Sequence, residues 1–175
     1  MGENANTKQI ITDWYTQYND EIYRFVLMLT GNHEQAKDLT HDTFIKAFIN
    51  LGSFQNQTSA KNWLYQISRN LTIDYFRKRN PVNVLMKAIN PNHNWQENIP
   101  ESILLLGEKE QQLYKSLRKI KRSYREVIIL RKIKELSIKE TAEILNWSES
   151  KVKVTLFRGL HALKRQMIKE GYEHE

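Results

Sequence analysis

All three prolines of this 175-residue chain, Pro81, Pro91 and Pro100, stand within one stretch of about twenty residues. Proline removes a backbone donor and breaks helices, and the surrounding Asn80, Asn83, Asn90, Asn92, Asn94 and Asn98 favour turns. The chain is thereby divided into two proline-free blocks and a linker. Within each block glycine is sparse and apolar residues recur at spacings of three and four, the period of an amphipathic helix. The pattern predicts an all-α fold: two small helical domains, residues 1–80 and 105–175, joined by a flexible linker over 81–104. In the linker, Val84 to Ile89 and Trp95 are apolar enough to dock onto something.

The first block reads as three helices. One runs from about Asn6 to Leu29, with Ile10, Trp14, Tyr18, Ile22, Phe25, Val26 and Leu29 inward, and Thr30-Gly31 ends it. Asn32 is placed to cap the second, which runs to about Leu51 with Ala36, Leu39, Phe44, Ala47, Phe48 and Leu51 as its apolar positions. After a polar loop carrying the aromatic Phe54, Thr58 or Ser59 opens the third. Its stripe is Trp63, Leu64, Ile67, Leu71 and Tyr75, with Trp63 read as core, and it ends in Arg77-Lys78-Arg79. The second block adds helices over Leu105–Ile120 and Ser123–Lys134 before its most telling segment.

That segment, Ser137 to Met167, reads as two helices joined by a very short turn, a helix-turn-helix of the kind that lays its second helix in a DNA major groove. Ser137 and Glu140 form an S-x-x-E capping box. Asn146-Trp147 makes the turn, and asparagine tolerates the left-handed conformation needed there. Ser148 caps the second helix, with Glu149 at its positive end. Val152, Leu156, Leu160 and Leu163 are expected to face inward, which leaves Lys151, Lys153, Thr155 and Arg158 for a groove and its phosphates.

Charge follows the same division. The net charge is +7. Residues 1–80 hold nine basic against eight acidic side chains, whereas residues 108–175 hold seventeen against ten. The excess therefore lies with the helix-turn-helix, which points to a polyanionic partner. With no cysteine there is no disulfide framework, thiolate metal site or cysteine nucleophile, a composition that fits a reducing cytoplasm. No apolar run approaches a bilayer span.

Two pairs of segments go further than a generic DNA-binding hairpin. AKDLTHDTFIKAFINLGSF (36–54) precedes WLYQISRNLTIDYFRKR (63–79), and YREVIILRKIKELSIKETAEIL (124–145) precedes SESKVKVTLFRGLHALK (148–164). In order and spacing they resemble regions 2 and 4 of a bacterial RNA polymerase sigma factor, closest to the extracytoplasmic-function group that keeps only those two domains. The resemblance implies a cytoplasmic, non-enzymatic specificity subunit whose partners are core RNA polymerase, promoter DNA (duplex at −35, melted at −10) and an anti-sigma factor, which could hold it at the membrane. It needs no cofactor. Polymerase binding would fall to the second helix through Asp38, Leu39, His41, Asp42, Thr43 and Lys46, with Phe44 read as core. The −10 element would fall to Phe54, Asn62, Tyr65, Gln66, Arg69, Asn70 and Arg77, with Asp74 in a structural salt bridge. The −35 element would fall to Ser148, Glu149, Ser150, Lys151, Lys153, Val154, Thr155 and Arg158, with Arg131 or Lys132 on a flanking backbone. Val154 and Thr155 depart from the small polar residue and arginine that many relatives carry at these positions, and Asn146 stands where the turn commonly has glycine.

No catalytic or metal-binding constellation accompanies these motifs. His33-Glu34 begins like H-E-x-x-H, but Lys37 occupies the second histidine's place. Asp38, His41 and Asp42 share a helix side, where a solvated or partner-facing surface is a simpler reading than a metal site. The alternative from another class is a helix-turn-helix transcriptional regulator with an N-terminal sensing or dimerisation domain.

Overall fold

The computed structural model describes residues 2–79, 105 and 107–172. Helix α1 (Gly2–Thr30), α2 (His33–Asn50) and α3 (Ala60–Arg79) form one compact unit; α4 (Glu108–Lys119), α5 (Arg122–Ile128), α6 (Ile138–Leu145) and α7 (Glu149–Lys169) belong to a second. Among the described residues there is no strand. The expectations for Val84 to Ile89 and Trp95 lie outside them.

In the first unit the three helices pack pairwise around Ile22, Phe25, Val26 and Leu29 of α1, Ala36, Leu39 and Phe44 of α2, and Leu64 and Tyr65 of α3. Gly31, at φ 68°, stops α1, where a residue without Cβ meets no steric penalty. Asn32 Oδ1 accepts from the Gln35 N–H at 3.0 Å and starts α2. Ser59 Oγ accepts from the Asn62 N–H and starts α3. The interior also holds the hydroxyls of Thr40, Thr43, Ser68 and Thr72. Each donates to a carbonyl of its own helix, at 2.6, 2.7, 3.0 and 2.7 Å, so none of these four hydroxyls is buried as an unpaired donor.

Phase decides the departures from expectation in this unit. Phe48 is 41% exposed, because Phe44 and Ala47 already fill the inner face of α2. Trp63 is half-buried rather than core, and lies 5.0 Å from Phe54 and 6.1 Å from Trp14, centroid to centroid. α1 also begins four residues earlier than expected, at Gly2.

The core of the second unit joins Leu117 and Ile120 from the end of α4 and its turn to Ile128 of α5 and Leu163 of α7, with Tyr124, Leu156 and Met167 packed around them. α7 approaches α5 closely at the buried Gly159. A Cβ there would lie 3.1 Å from Tyr124 Cβ and 3.3 Å from Ile128 Cδ1. The inner stripe of α7 is Val152, Leu156, Gly159 and Leu163. Leu160, expected inward, lies outside that stripe and is 37% exposed. Two devices tie the unit together. Arg125 donates from Nε to the Leu117 carbonyl at 2.8 Å, and from Nη2 to those of Arg118 at 2.7 Å and Ile120 at 3.2 Å, which caps the carbonyl end of α4. Glu170, just beyond α7, accepts from Ser116 Oγ at 3.0 Å and Gln166 Nε2 at 2.6 Å and pairs with Lys119 Nζ at 2.9 Å. The single helix expected over Ser123–Lys134 is instead α5 followed by a π-helical turn, Ile129–Ile133. Lys134 N–H bonds the Ile129 carbonyl, Glu135 takes φ 55°, and the Arg131 guanidinium donates to the Leu136 carbonyl.

Candidate nucleic-acid and polymerase interfaces

α6 and α7 form the helix-turn-helix, and each local signal in the sequence has its structural counterpart. Ser137 Oγ accepts from the Glu140 N–H at 3.1 Å while the Glu140 carboxylate accepts from the Ser137 N–H at 2.8 Å. Asn146 ends α6 in the left-handed region, at φ 54° and ψ 48°. Two residues later Ser148 Oγ accepts from the Lys151 N–H at 3.2 Å and opens α7. The turn thus places α7 with one face of its first three turns presented to solvent. Ser148, Glu149, Ser150, Lys151, Lys153, Val154 and Arg158 are exposed and Thr155 is half-buried.

Beside α7 lies an open cavity of about 540 Å³ lined by Lys121, Tyr124, Trp147, Lys151, Val154 and Arg158, with three small hydroxyl residues between them. Lys151 Nζ sits 4.3 Å from the centre of the Trp147 ring, and Lys121 Nζ 5.8 Å from that of Tyr124. Cation–π attraction favours these placements, more strongly at Lys151 than at Lys121. Three cations around one concavity have the chemistry that suits a polyanion's phosphates. Lys121, Tyr124 and Trp147 were not recognised as part of this surface from sequence. Lys121 comes from the α4–α5 turn and Tyr124 from α5, too far along the chain for any local motif to include them. Arg131, expected near a flanking phosphate, holds the Leu136 carbonyl instead; Lys132 beside it is exposed.

The first unit carries two further surfaces. On α3, Gln66, Arg69, Asn70 and Arg77 fall on one stripe, with Asn70 and Arg77 exposed and the other two half-buried. Asn62 and Tyr65 do not join them. Asn62 is buried, and Tyr65 is fully buried in edge contact with Phe25, its hydroxyl donating to Glu21 Oε1 at 2.7 Å. Burial, and then the Glu21 carboxylate, push the Tyr65 phenol well above its ordinary pKa. Phe54 is half-buried between Trp14 and Trp63, so it anchors the α2–α3 loop. Asp74 pairs with Arg77 at 3.8 Å in the open, a contact of little energetic weight.

On α2, Asp38, His41, Asp42 and Lys46 are exposed on one side. Leu39 and Thr43, expected beside them, are buried: Leu39 packs in the core, and the Thr43 hydroxyl bonds the Leu39 carbonyl. The apolar part of this face is instead Ile45, Phe48 and Ile49, at 57, 41 and 72% exposure. Their spacing puts them on the side of α2 that carries Asp38 and Asp42. Among the described residues no group of histidines and carboxylates is placed to hold a metal ion, and no helix is long and apolar enough to cross a membrane.

Comparison with known proteins matches both units. Residues 14–82 fit the family described as Sigma-70 region 2, and residues 110–163 that described as Sigma-70, region 4. The chain is 39% identical over 166 residues to the RNA polymerase sigma factor YlaC of Bacillus subtilis (strain 168), covering 93% of this chain and 95% of that one. It is 34% identical to the ECF RNA polymerase sigma factor SigM of the same organism, covering 88 and 93%. Among solved structures, the sigma factor RpoE in complex with the anti-sigma factor NepR from Bartonella quintana has the same fold at a TM-score of 0.73 and 23% identity, over 92% of this chain and 98% of that one. CnrH in complex with the cytosolic domain of CnrY does so at 0.71 and 18%, over 97 and 96%.

Proposed function

Because the chain belongs to the extracytoplasmic-function group of the sigma-70 family of RNA polymerase sigma factors, we propose that its three exposed surfaces divide the work of promoter recognition. As an alternative sigma factor it binds core RNA polymerase and directs promoter-specific initiation through −10 and −35 elements. Its family consists in general of non-enzymatic regulators. The other reading, a regulator with an N-terminal sensing domain, gives way because residues 14–82 match region 2.

In this reading residues 1–80 act as the region 2 domain, 81–104 as the linker and 105–175 as the region 4 domain. The face of α2 with Asp38, His41, Asp42 and Lys46 around Ile45, Phe48 and Ile49 docks on the polymerase, as an apolar patch with a charged rim suits a protein partner. Gln66, Arg69, Asn70 and Arg77 of α3 face the opened −10 strand, since amides and guanidinium groups pair with unstacked base edges and backbone. α7 enters the duplex at −35. The observation that carries the reading is the cation-rimmed cavity beside α7, with Lys121 and Lys151 held over aromatic rings on the side that carries Arg158. An anti-sigma factor covering these faces is proposed by likeness to the two solved complexes. A cytoplasmic location follows from the role.

The test is transcription by purified core polymerase with this chain. Arg158→Ala should weaken binding to a −35 duplex and lower its salt dependence by about one unit of slope per lost phosphate contact. Asn70→Ala should leave duplex binding intact and reduce permanganate reactivity of −10 thymines. Identical defects at the same step would refute the division.

A further inference from the structure

The outward side of α7 carries a residue that folding does not require. Val152, Gly159 and Leu163 are buried and Leu156 is half-buried, which completes the inner stripe of the helix. Val154 lies about 200° around the helix from Val152, on the opposite side, and is 48% exposed. It borders the cavity next to Thr155, between Lys151 one turn before and Arg158 one turn after. Phe157 is also exposed but lies outside this cavity and meets His161 edge-on at 4.6 Å. A branched apolar side chain is thus set at the centre of a cationic, DNA-facing surface. Lysine and arginine around it suit phosphate oxygens and guanine acceptors. Valine suits neither. Of the groups that base pairs show in the major groove, the C5 methyl of thymine is the apolar one.

We propose that Val154 is a specificity-determining residue that reads the C5 methyl group of one thymine in the −35 duplex. The proposal rests on α7 being the −35 helix. The surrounding cations position the backbone, and Val154 gains only where a methyl group fills the space before it. A cytosine or an unmethylated pyrimidine there leaves Val154 against polar edges or water.

The experiment uses the full chain reconstituted with core RNA polymerase. Preferred −35 duplexes are first selected from a randomised promoter pool, and each thymine is then replaced singly by deoxyuridine, which removes only the methyl group. At one thymine the replacement should weaken wild-type binding about fourfold, the worth of one buried methyl group. Val154→Ala should bind both duplexes alike, while Lys153→Ala should bind more weakly overall and keep the fourfold ratio. Circular dichroism should show all variants equally folded, since neither side chain is buried. If no thymine methyl matters to the wild type, or the ratio survives in Val154→Ala, the proposal is overturned while the −35 assignment stands. If no duplex is selected at all, the −35 assignment falls and this proposal falls with it.

Discussion

Arg125 tests how the second helical unit is held together. Its guanidinium makes three hydrogen bonds to backbone carbonyls at the end of α4, two of them at 2.8 and 2.7 Å. Leu117 and Ile120, whose carbonyls it serves, are themselves buried. Net contributions of hydrogen bonds to charged groups run at about 1.5–3 kcal/mol each. They do not add here, because one guanidinium serves all three and water can reach part of the helix end once it is gone. Arg125→Met keeps the apolar stem, so the loss should isolate the cap at about 2–4 kcal/mol. Arg125→Lys should recover less than half, since an ammonium lacks the planar fork that reaches several carbonyls. Because the chain holds two units, the readout should be unit-specific: native-state hydrogen exchange of α4, α5 and α7 amides, with those of α1–α3 as internal reference. Protection should fall in the first set and not in the second. A change below about 0.5 kcal/mol in α4 and α5 would refute the cap as a determinant of stability.

Three other outcomes follow from the same structure. Asn146→Ala should lower the stability of the helix-turn-helix by about 1 kcal/mol while Asn146→Gly stays near neutral, because only the alanine Cβ opposes φ 54°; equal thermal shifts would remove the left-handed turn as the reason. For Glu170, burial alone would raise the carboxyl's pKa, but hydrogen bonds from Lys119, Gln166 and Ser116 outweigh it and hold the group below the ordinary glutamate value. Its stabilising contribution is therefore full above that value and is lost as pH falls through the lowered one; the urea-midpoint gap between wild type and Glu170→Gln should be open at neutral pH and close in acid. Ile49→Asp, at a side chain 72% exposed, should leave the melting temperature unchanged and weaken competition for core polymerase by roughly tenfold or more; unchanged competition would take the apolar strip out of the interface.

What could be read in advance was local. Ser137 with Glu140, Ser148, Asn32 and Asn146 act on backbone groups within four residues, so their roles are written in short patterns. Side chains whose roles depend on another helix were not legible in this way. Arg125 reads as one more solvent-facing base on an amphipathic helix, and only the placement of α4 shows what it binds. The faces of α2 and α3 were misjudged for a related reason. Thr43, Ser68 and Thr72 are polar yet buried because each satisfies itself within its own helix, whereas Ile45, Phe48 and Ile49 are apolar yet exposed. Of the apolar positions read on α2, Ala36, Leu39, Phe44 and Ala47 face the core and Phe48 does not, while Asn62 and Tyr65 were assigned to a surface that excludes them. The π-helical turn leaves no trace in composition, since isoleucine, leucine and lysine suit an α-helix equally.

That π-helical turn also bears on how the lineage of such chains should be aligned. A π-turn holds one more residue than an α-turn, and it characteristically arises as a single-residue interruption of an otherwise regular helix. The stretch Ile129–Ile133 is followed at once by Glu135 in a left-handed conformation and by the Arg131 grip on the Leu136 carbonyl, just before α6 begins. A homologue one residue shorter across this stretch would be expected to run on as plain α-helix and reach the same capping box in the same place. A gap placed there would leave the capping box of α6 and the turn into α7 untouched, whereas the same gap between α6 and α7 would take a residue out of the Asn146–Ser148 turn that joins them.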